Sequence, residues 1–155
     1  MTTTSVNLYR SVRKDDFPNG VMSSSGVVTG TLYPSFKDTT YHANVAGKTI
    51  TKIRKADVYP YSYGGQEVID PGGGTSLFDK DKAFGTKHWW YFTIPVGTVI
   101  PDSLRIRFTG RNDTYGADHY QIEASSIRMP VDSFKAALDN LARNAIAKQY
   151  EDARK

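Results

Sequence analysis

Short runs in which apolar and polar side chains alternate, cut by glycine and proline, fill the first two-thirds of the chain. Successive side chains of an extended strand point to opposite faces, so such runs predict half-buried strands. The clearest are Val6 to Val12, His88 to Ile94, Leu104 to Thr109 and His119 to Ala124. Between them, Pro18-Asn19-Gly20, Ser23-Ser24-Ser25-Gly26, Gly64-Gly65, Pro71-Gly72-Gly73-Gly74 and the stretch Pro95 to Pro101 mark turns. From Val131 onward the period changes. Gly and Pro vanish, Ala, Leu, Lys and Arg dominate, and Val131, Phe134, Leu138, Leu141 and Ala145 fall on one helical stripe. Pro130 precedes this helix, Asp132 or Ser133 is the expected N-cap, and Lys148, Arg154 and Lys155 lie near the end where the helix dipole favours cations. The pattern predicts an α+β fold: a strand-rich body closed by one long C-terminal amphipathic helix packed on a sheet.

A chain of 155 residues with 39% hydrophobic and 23% charged residues suits one domain, residues 1–155, with its own core. Cysteine is absent, which excludes disulfides, thiolate metal sites and a cysteine nucleophile. No stretch is long and apolar enough to span a bilayer, and the Thr- and Ser-rich start, Met1 to Asn7, lacks the apolar core of a secretory signal. The expectation is a chain made in the cytoplasm that leaves the cell, if it does, without a cleaved leader. The formal net charge of +4 is compatible with a solvated surface or with an anionic partner such as a dinucleotide, a nucleic acid or an acidic protein.

Three short stretches carry residues with chemistry. In His119-Tyr120-Gln121-Ile122-Glu123-Ala124, strand alternation sets His119, Gln121 and Glu123 on one face and Tyr120, Ile122 and Ala124 on the other. An acid and an amide two residues apart can touch one ligand, although a solvent-facing polar stripe has the same pattern. In Gly72-Gly73-Gly74-Thr75-Ser76-Leu77-Phe78-Asp79, the glycines permit a close backbone approach. The stretch lacks the lysine of a phosphate-binding P-loop and the glycine spacing of a dinucleotide fingerprint. In Leu8-Tyr9-Arg10, an arginine inside a strand offers paired hydrogen bonds to phosphate, or a structural ion pair.

Their order along the chain, strand Arg, then Gly-Thr-Ser, then Gln-x-Glu, resembles the Arg-Ser-Glu class of ADP-ribosyltransferase toxins, and the Gln-x-Glu form is similar to the clostridial exoenzymes that modify Rho GTPases. Much of the chain is also similar to the small type VI secretion effector toxins of the Tse-two kind, whose fold is ADP-ribosyltransferase-like. The matching pieces are Leu8-Tyr9-Arg10, Leu32-Tyr33-Pro34-Ser35-Phe36, Gly73 to Asp79, the Ile94-Pro95 to Pro101 loop, His119-Tyr120, and the helix from Leu138-Asp139-Asn140 to Asn144-Ala145-Ile146. The pair Gln121 and Glu123 departs from that family's pattern, so the chain either keeps a fuller transferase apparatus or carries the pair by coincidence.

This resemblance implies NAD as substrate, no metal, and transfer of ADP-ribose to a macromolecule in a competing cell. It assigns Glu123 to the oxocarbenium-like transition state and Gln121 to the acceptor. Arg10 would hold the diphosphate. Thr75 and Ser76 would fix Glu123 and the nicotinamide-side ribose, and Tyr33, Phe36 or Phe78 would stack on nicotinamide. The segment Thr109 to Asp118, with Arg111 and Tyr115, reads as a mobile target-selecting loop or an ordinary hairpin connection. His119 lines the cleft or is a satisfied structural histidine. An immunity protein covering the cleft in the producing cell is a further implication. Two alternatives remain open: an NAD glycohydrolase, and a non-enzymatic nucleic-acid- or protein-binding domain. His88-Trp89-Trp90-Tyr91-Phe92 reads as a core strand, and His42, His88 and His119 lack the spacing of a zinc site.

Overall fold

A computed structural model describes residues 1–155. In chain order the elements are β1 (Thr2–Thr3), β2 (Leu8–Arg13), β3 (Met22–Ser23), β4 (Gly26–Val27), β5 (Thr39–Val45), β6 (Lys48–Arg54), β7 (Tyr61–Tyr63), β8 (Gln66–Ile69), β9 (Thr75–Phe78), β10 (Trp89–Ile94), β11 (Val99–Ile100), β12 (Leu104–Asn112), β13 (Ala117–Ala124), β14 (Met129–Pro130) and α1 (Val131–Ala153). The architecture is α+β, as the alternating runs and the terminal helix predict. Its centre is a five-stranded antiparallel sheet in the order β10-β2-β9-β13-β12. Smaller sheets, β14-β8-β7, β1-β11, β3-β4 and β5-β6, surround it.

One face of the central sheet is apolar at nearly every second residue, with Arg10 of β2, opposite Phe92, as the charged exception. Leu8 and Val12 of β2, Leu77 of β9, Phe92 and Ile94 of β10, Leu104 of β12, and Ile122 and Ala124 of β13 enter one core cluster. The helix covers it with Phe134, Ala137, Leu138, Leu141, Ala142 and Ala145, all buried. Each fully buried large side chain in this interface is worth about 1.5–3 kcal/mol. Polar ties fix the helix's position: Gln149 Nε2 donates to the Thr93 carbonyl at 2.7 Å, and Asn144 Nδ2 to the Val99 carbonyl at 3.0 Å. This helix is not long and apolar enough to cross a membrane.

The structure corrects three expectations. The helix begins at Val131, before either proposed cap: Pro130 holds the N-cap position without a side-chain hydrogen bond, and Asp132 lies within the first turn. Pro130, which pairs with Val68 in β14-β8, delivers the chain into the helix with φ −58°, and a proline at that entry forfeits no intrahelical bond. Lys148 pairs with Glu151 and Asp152 on its own helix. The segment from Thr109 to Asp118 is not a loop over its length. β12 continues to Asn112 and β13 starts at Ala117, so only four residues, Asp113 to Gly116, form the connection. Thr109 is the extra residue of a bulge between Phe108↔Tyr120 and Gly110↔His119, which alternation alone does not reveal. Finally, the His88 to Phe92 run is an edge strand, β10. Phe92 is buried, but Trp90 is only partly covered and donates its Nε1–H to the Phe17 carbonyl at 2.8 Å.

Candidate active site

The three chemistry-bearing stretches lie on three neighbouring strands, β2, β9 and β13, in the middle of the sheet. Register does this: Ser76 pairs with Gln121, Thr75 with Ile122, and Phe78 with both His119 and Tyr9. Adjacent strands are about 5 Å apart, so the stretches span roughly 10 Å, but strand alternation sets Arg10, the register partner of buried Phe92, on the helix-covered face with Leu8, Val12 and Ile122, and Ser76, Gln121 and Glu123 on the other.

Gln121 and Glu123 share a face, and Gln121 Nε2 donates to Glu123 Oε2 at 2.8 Å. Glu123 is 0% exposed. Its register partner Arg105 donates to Oε1, and Arg107, the register partner of Gln121, reaches Oε2 at 3.3 Å. Burial alone would push the Glu123 pKa up, but the hydrogen bonds from Gln121, Arg107 and Arg105 outweigh it and hold the carboxyl below its ordinary value. Glu123 is therefore an ionised carboxylate at neutral pH, capped by two guanidiniums whose side chains are 51% and 47% exposed. Sequence reasoning missed Arg105 and Arg107. The signal was present as Arg-x-Arg in the strand preceding the Gln-x-Glu strand, but reading it required the hairpin register.

Arg10 sits where β2 and β9 part, the two strands pairing only at Tyr9↔Phe78. Its guanidinium fills the opening, donating to the Tyr33 carbonyl at 2.9 Å and, at 3.4 Å each, to the Thr31 and Ser76 carbonyls. Burial lowers its pKa and the charge of Asp57 opposes that shift. The segment that carries these carbonyls is tied to the helix at both ends: Asp139 accepts from Tyr33 Oη at 2.6 Å and from the Gly30 N–H at 3.2 Å. Burial and then Asp139 push the Tyr33 pKa up to about 12. Arg10, Tyr33, Ser35, Arg13, Arg54, Asp57 and Trp89 line a cleft of about 410 Å³, and Arg13 lies over the Trp89 ring at 5.3 Å. Cations stand beside aromatic rings in a cleft whose size is ordinary for a small-molecule site.

The other expected site residues lie elsewhere. Thr75 turns toward the core, fully buried, and its hydroxyl donates to the Leu32 carbonyl at 2.6 Å. Phe36 packs edge-on against Phe134 of the helix, ring centroids 6.4 Å apart. Phe78 belongs to an aromatic group with Phe84, Tyr115 and His119, its centroid 5.0 Å from that of His119. The His119 ring bonds to the Thr109 hydroxyl, and burial lowers its pKa. Tyr115 packs on Phe84 at 4.6 Å, and Arg111 pairs with Asp118 at 3.3 Å and Asp113 at 3.8 Å. The glycine run makes its close approaches to protein: a Cβ on Gly74 would lie 1.9 Å from the Ile122 carbonyl oxygen, and one on Gly73 would lie 2.4 Å from that of Asp57. Gly74 thus lets the turn press against the Glu123 strand.

Comparison with known families places the chain among toxins of the ADP-ribosyltransferase class, for residues 3–150 match the family model described as Tse2 ADP-ribosyltransferase toxin. The chain belongs to that family. It is similar to a protein named Toxin Tse2 from Pseudomonas aeruginosa strain PAO1, 30% identical over 161 residues that cover 97% of this chain and 94% of the relative.

Proposed function

We propose that this toxin uses NAD as its substrate and transfers ADP-ribose to a macromolecule in a competing cell, with the carboxylate of Glu123 as the group that promotes loss of nicotinamide. The observation that carries this reading is the state of Glu123: ionised, hydrogen-bonded to Gln121, and on the strand next to Ser76. As the glycosidic bond breaks, nicotinamide leaves with the bonding electron pair and positive charge develops on the ribose. A fixed carboxylate stabilises that charge. The acceptor's nucleophile then bonds to the ribose carbon and gives up its proton. Gln121, beside the carboxylate, would orient the acceptor.

The cleft beside Arg10 supplies binding. Arg10 spends its hydrogen bonds on three carbonyls, so it acts chiefly as the keystone of the cleft wall, while Arg13 and Arg54 are the cations with capacity for a diphosphate. Phe17, Tyr33 and Trp89 are the rings that line the cleft; Phe36, Phe78, Ser76, Gln121 and Glu123 are not among its lining residues. The Arg105 and Arg107 guanidiniums cover Glu123, so its approach to a ribose requires them to swing outward. Their half-exposed side chains have the room.

An immunity protein that covers the cleft in the producing cell belongs to the same proposal and rests on the family alone. The test is incubation of the purified protein, and of Glu123→Ala, with labelled NAD and a bacterial lysate. Label on a lysate macromolecule, lost in the variant, supports transfer. Nicotinamide release without labelled product supports a glycohydrolase instead.

A further inference from the structure

The β5-β6 hairpin stands apart from the rest of the fold. Its two strands pair only with each other, over seven register positions from Thr39↔Arg54 to Val45↔Lys48. Of its fourteen strand residues only Ala43 is not exposed. A lone two-stranded ribbon with neither face covered is marginal on its own.

Its charge is one-sided. Residues 39–56 contain Lys48, Lys52, Arg54 and Lys55 and no Asp or Glu. Since the whole chain carries a formal +4, those four cations equal its entire net charge and the remaining residues sum to zero. Strand alternation sets Lys48, Ile50, Lys52 and Arg54 on one face, opposite Val45, Ala43, Tyr41 and Thr39. Lys48, Lys52 and Arg54 form no ion pair; the chain's salt bridges involve Lys82, Arg105, Arg107, Arg111 and Lys148. Arg54 lies over the Tyr41 ring at 5.4 Å, and Tyr41 is 42% exposed. The row from Lys48 to Arg54 runs about 20 Å along the strand and ends at the cleft, which Arg54 lines together with Arg13 and Arg10.

We propose that this hairpin is the docking surface for a single-stranded nucleic acid, and that this nucleic acid is the acceptor class of the transferase. The acceptor half of the proposal rests on the transfer reading above; the docking half does not. A linear row of unpaired cations suits a regularly charged polyanion better than the scattered carboxylates of an acidic protein. Tyr41 and Ile50, set among the cations, offer apolar surface on which bases pack. The strand would run along the arm and enter the cleft past Arg54. There a nucleophilic oxygen or nitrogen of the nucleic acid would bond to the ribose carbon as nicotinamide leaves with its electron pair, and its proton would pass to solvent.

The test uses the full chain, the variant Lys48→Gln/Lys52→Gln, and a fluorescein-labelled 20-nucleotide single-stranded RNA of mixed sequence. Both lysines are exposed and unpaired, so the variant should keep the wild-type circular dichroism. Three phosphate contacts give a salt slope of about −2, and loss of two brings it near −0.7 with a roughly tenfold weaker affinity at 0.15 M salt. With labelled NAD, the wild type should label the RNA and the variant should do so less, while RNA-independent nicotinamide release stays unchanged. Absence of salt-dependent binding, binding indifferent to the double substitution, or stronger binding of polyglutamate overturns the docking surface. RNA bound and NAD consumed without labelled RNA overturns the acceptor assignment. RNA bound normally with no NAD turnover by either protein overturns the transfer reading and leaves the docking surface standing.

Discussion

Arg105 and Glu123 face each other across the β12-β13 ladder, and the arginine's guanidinium closes over a carboxylate with no exposed surface. A second arginine of β12, Arg107, two register positions away and on the same face, completes the clamp. The same contacts that keep Glu123 ionised also shield it, so the pair sets both the charge state and the accessibility of the group to which we assign the chemistry.

Removing the clamp should change the pH profile of nicotinamide release. In the wild type the Glu123 pKa lies below its ordinary value of 4.5, so the rate should show no acid limb due to this group above that pH. In Arg105→Gln/Arg107→Gln two of the three lowering contacts disappear and burial, which raises the pKa, dominates. The acid limb should move up past 4.5. An unchanged profile would show that the arginines do not control the carboxylate.

The carboxylate also contributes to folding with a definite pH dependence. Its folded pKa is depressed, so its stabilising contribution is fully present above the unfolded value and lost as pH falls through the folded one. Because both guanidiniums are half exposed, Glu123→Gln should cost only about 1–2 kcal/mol at pH 7. Urea unfolding at a series of pH values should show the wild type and variant converging as pH drops below 4.5. A gap that stays constant or widens as pH falls below 4.5 would contradict this.

Tyr33→Phe tests the tie between the helix and the cleft wall. It deletes the 2.6 Å bond to Asp139 and should destabilise the fold by about 1–2 kcal/mol. The raised Tyr33 pKa means its stabilising contribution is present below the unfolded value near 10 and declines as pH rises toward about 12. Stability of the wild type should fall more steeply than that of the variant across this interval, as read by denaturant titration.

Two neighbouring glycines should respond very differently to alanine. At Gly74 the added methyl would meet the Ile122 carbonyl at 1.9 Å, whereas at Gly72 nothing lies within 4 Å and only the φ of 114° is unfavourable. Gly72→Ala should cost on the order of 1 kcal/mol. Gly74→Ala should cost roughly 2–3 kcal/mol or more, because backbone on two strands must shift. Thermal melts of the two variants decide this; equal losses would mean the turn does not press on the Glu123 strand.

The strands of the central sheet were legible because each buries one face. Phe92 and Ile94, and Ile122 and Ala124, recur with period two, and Leu8 and Val12 keep the same phase with Arg10 between them. The β5-β6 hairpin lacks that signal, since neither face is covered; Thr39-Thr40-Tyr41 before Ala46-Gly47 and the alternating Thr and Ile after it were its only trace. The stretches that carry Arg10, Ser76, Gln121 and Glu123 were readable, but which strands neighbour which was not. The adjacency of β2, β9 and β13 joins segments more than forty residues apart, and no local pattern encodes it. For the same reason Thr75 looked like a ligand residue. Its pairing with Ile122 turns it to the core, where its hydroxyl serves the Leu32 carbonyl. Phe36 likewise belongs to the helix packing because Phe134 meets it, a contact set by tertiary structure alone.

The most direct measurement is nicotinamide release from NAD by the wild type and by Glu123→Gln, after confirming by circular dichroism that the variant is folded at the assay temperature. If the carboxylate carries the chemistry, the folded variant should lose at least a hundredfold in rate, in keeping with the roughly 10²–10³-fold effect of deleting one electrostatic stabiliser of a transition state. A folded Glu123→Gln protein that releases nicotinamide at the wild-type rate would contradict the account and leave Glu123 as a structural anchor for Arg105 and Arg107.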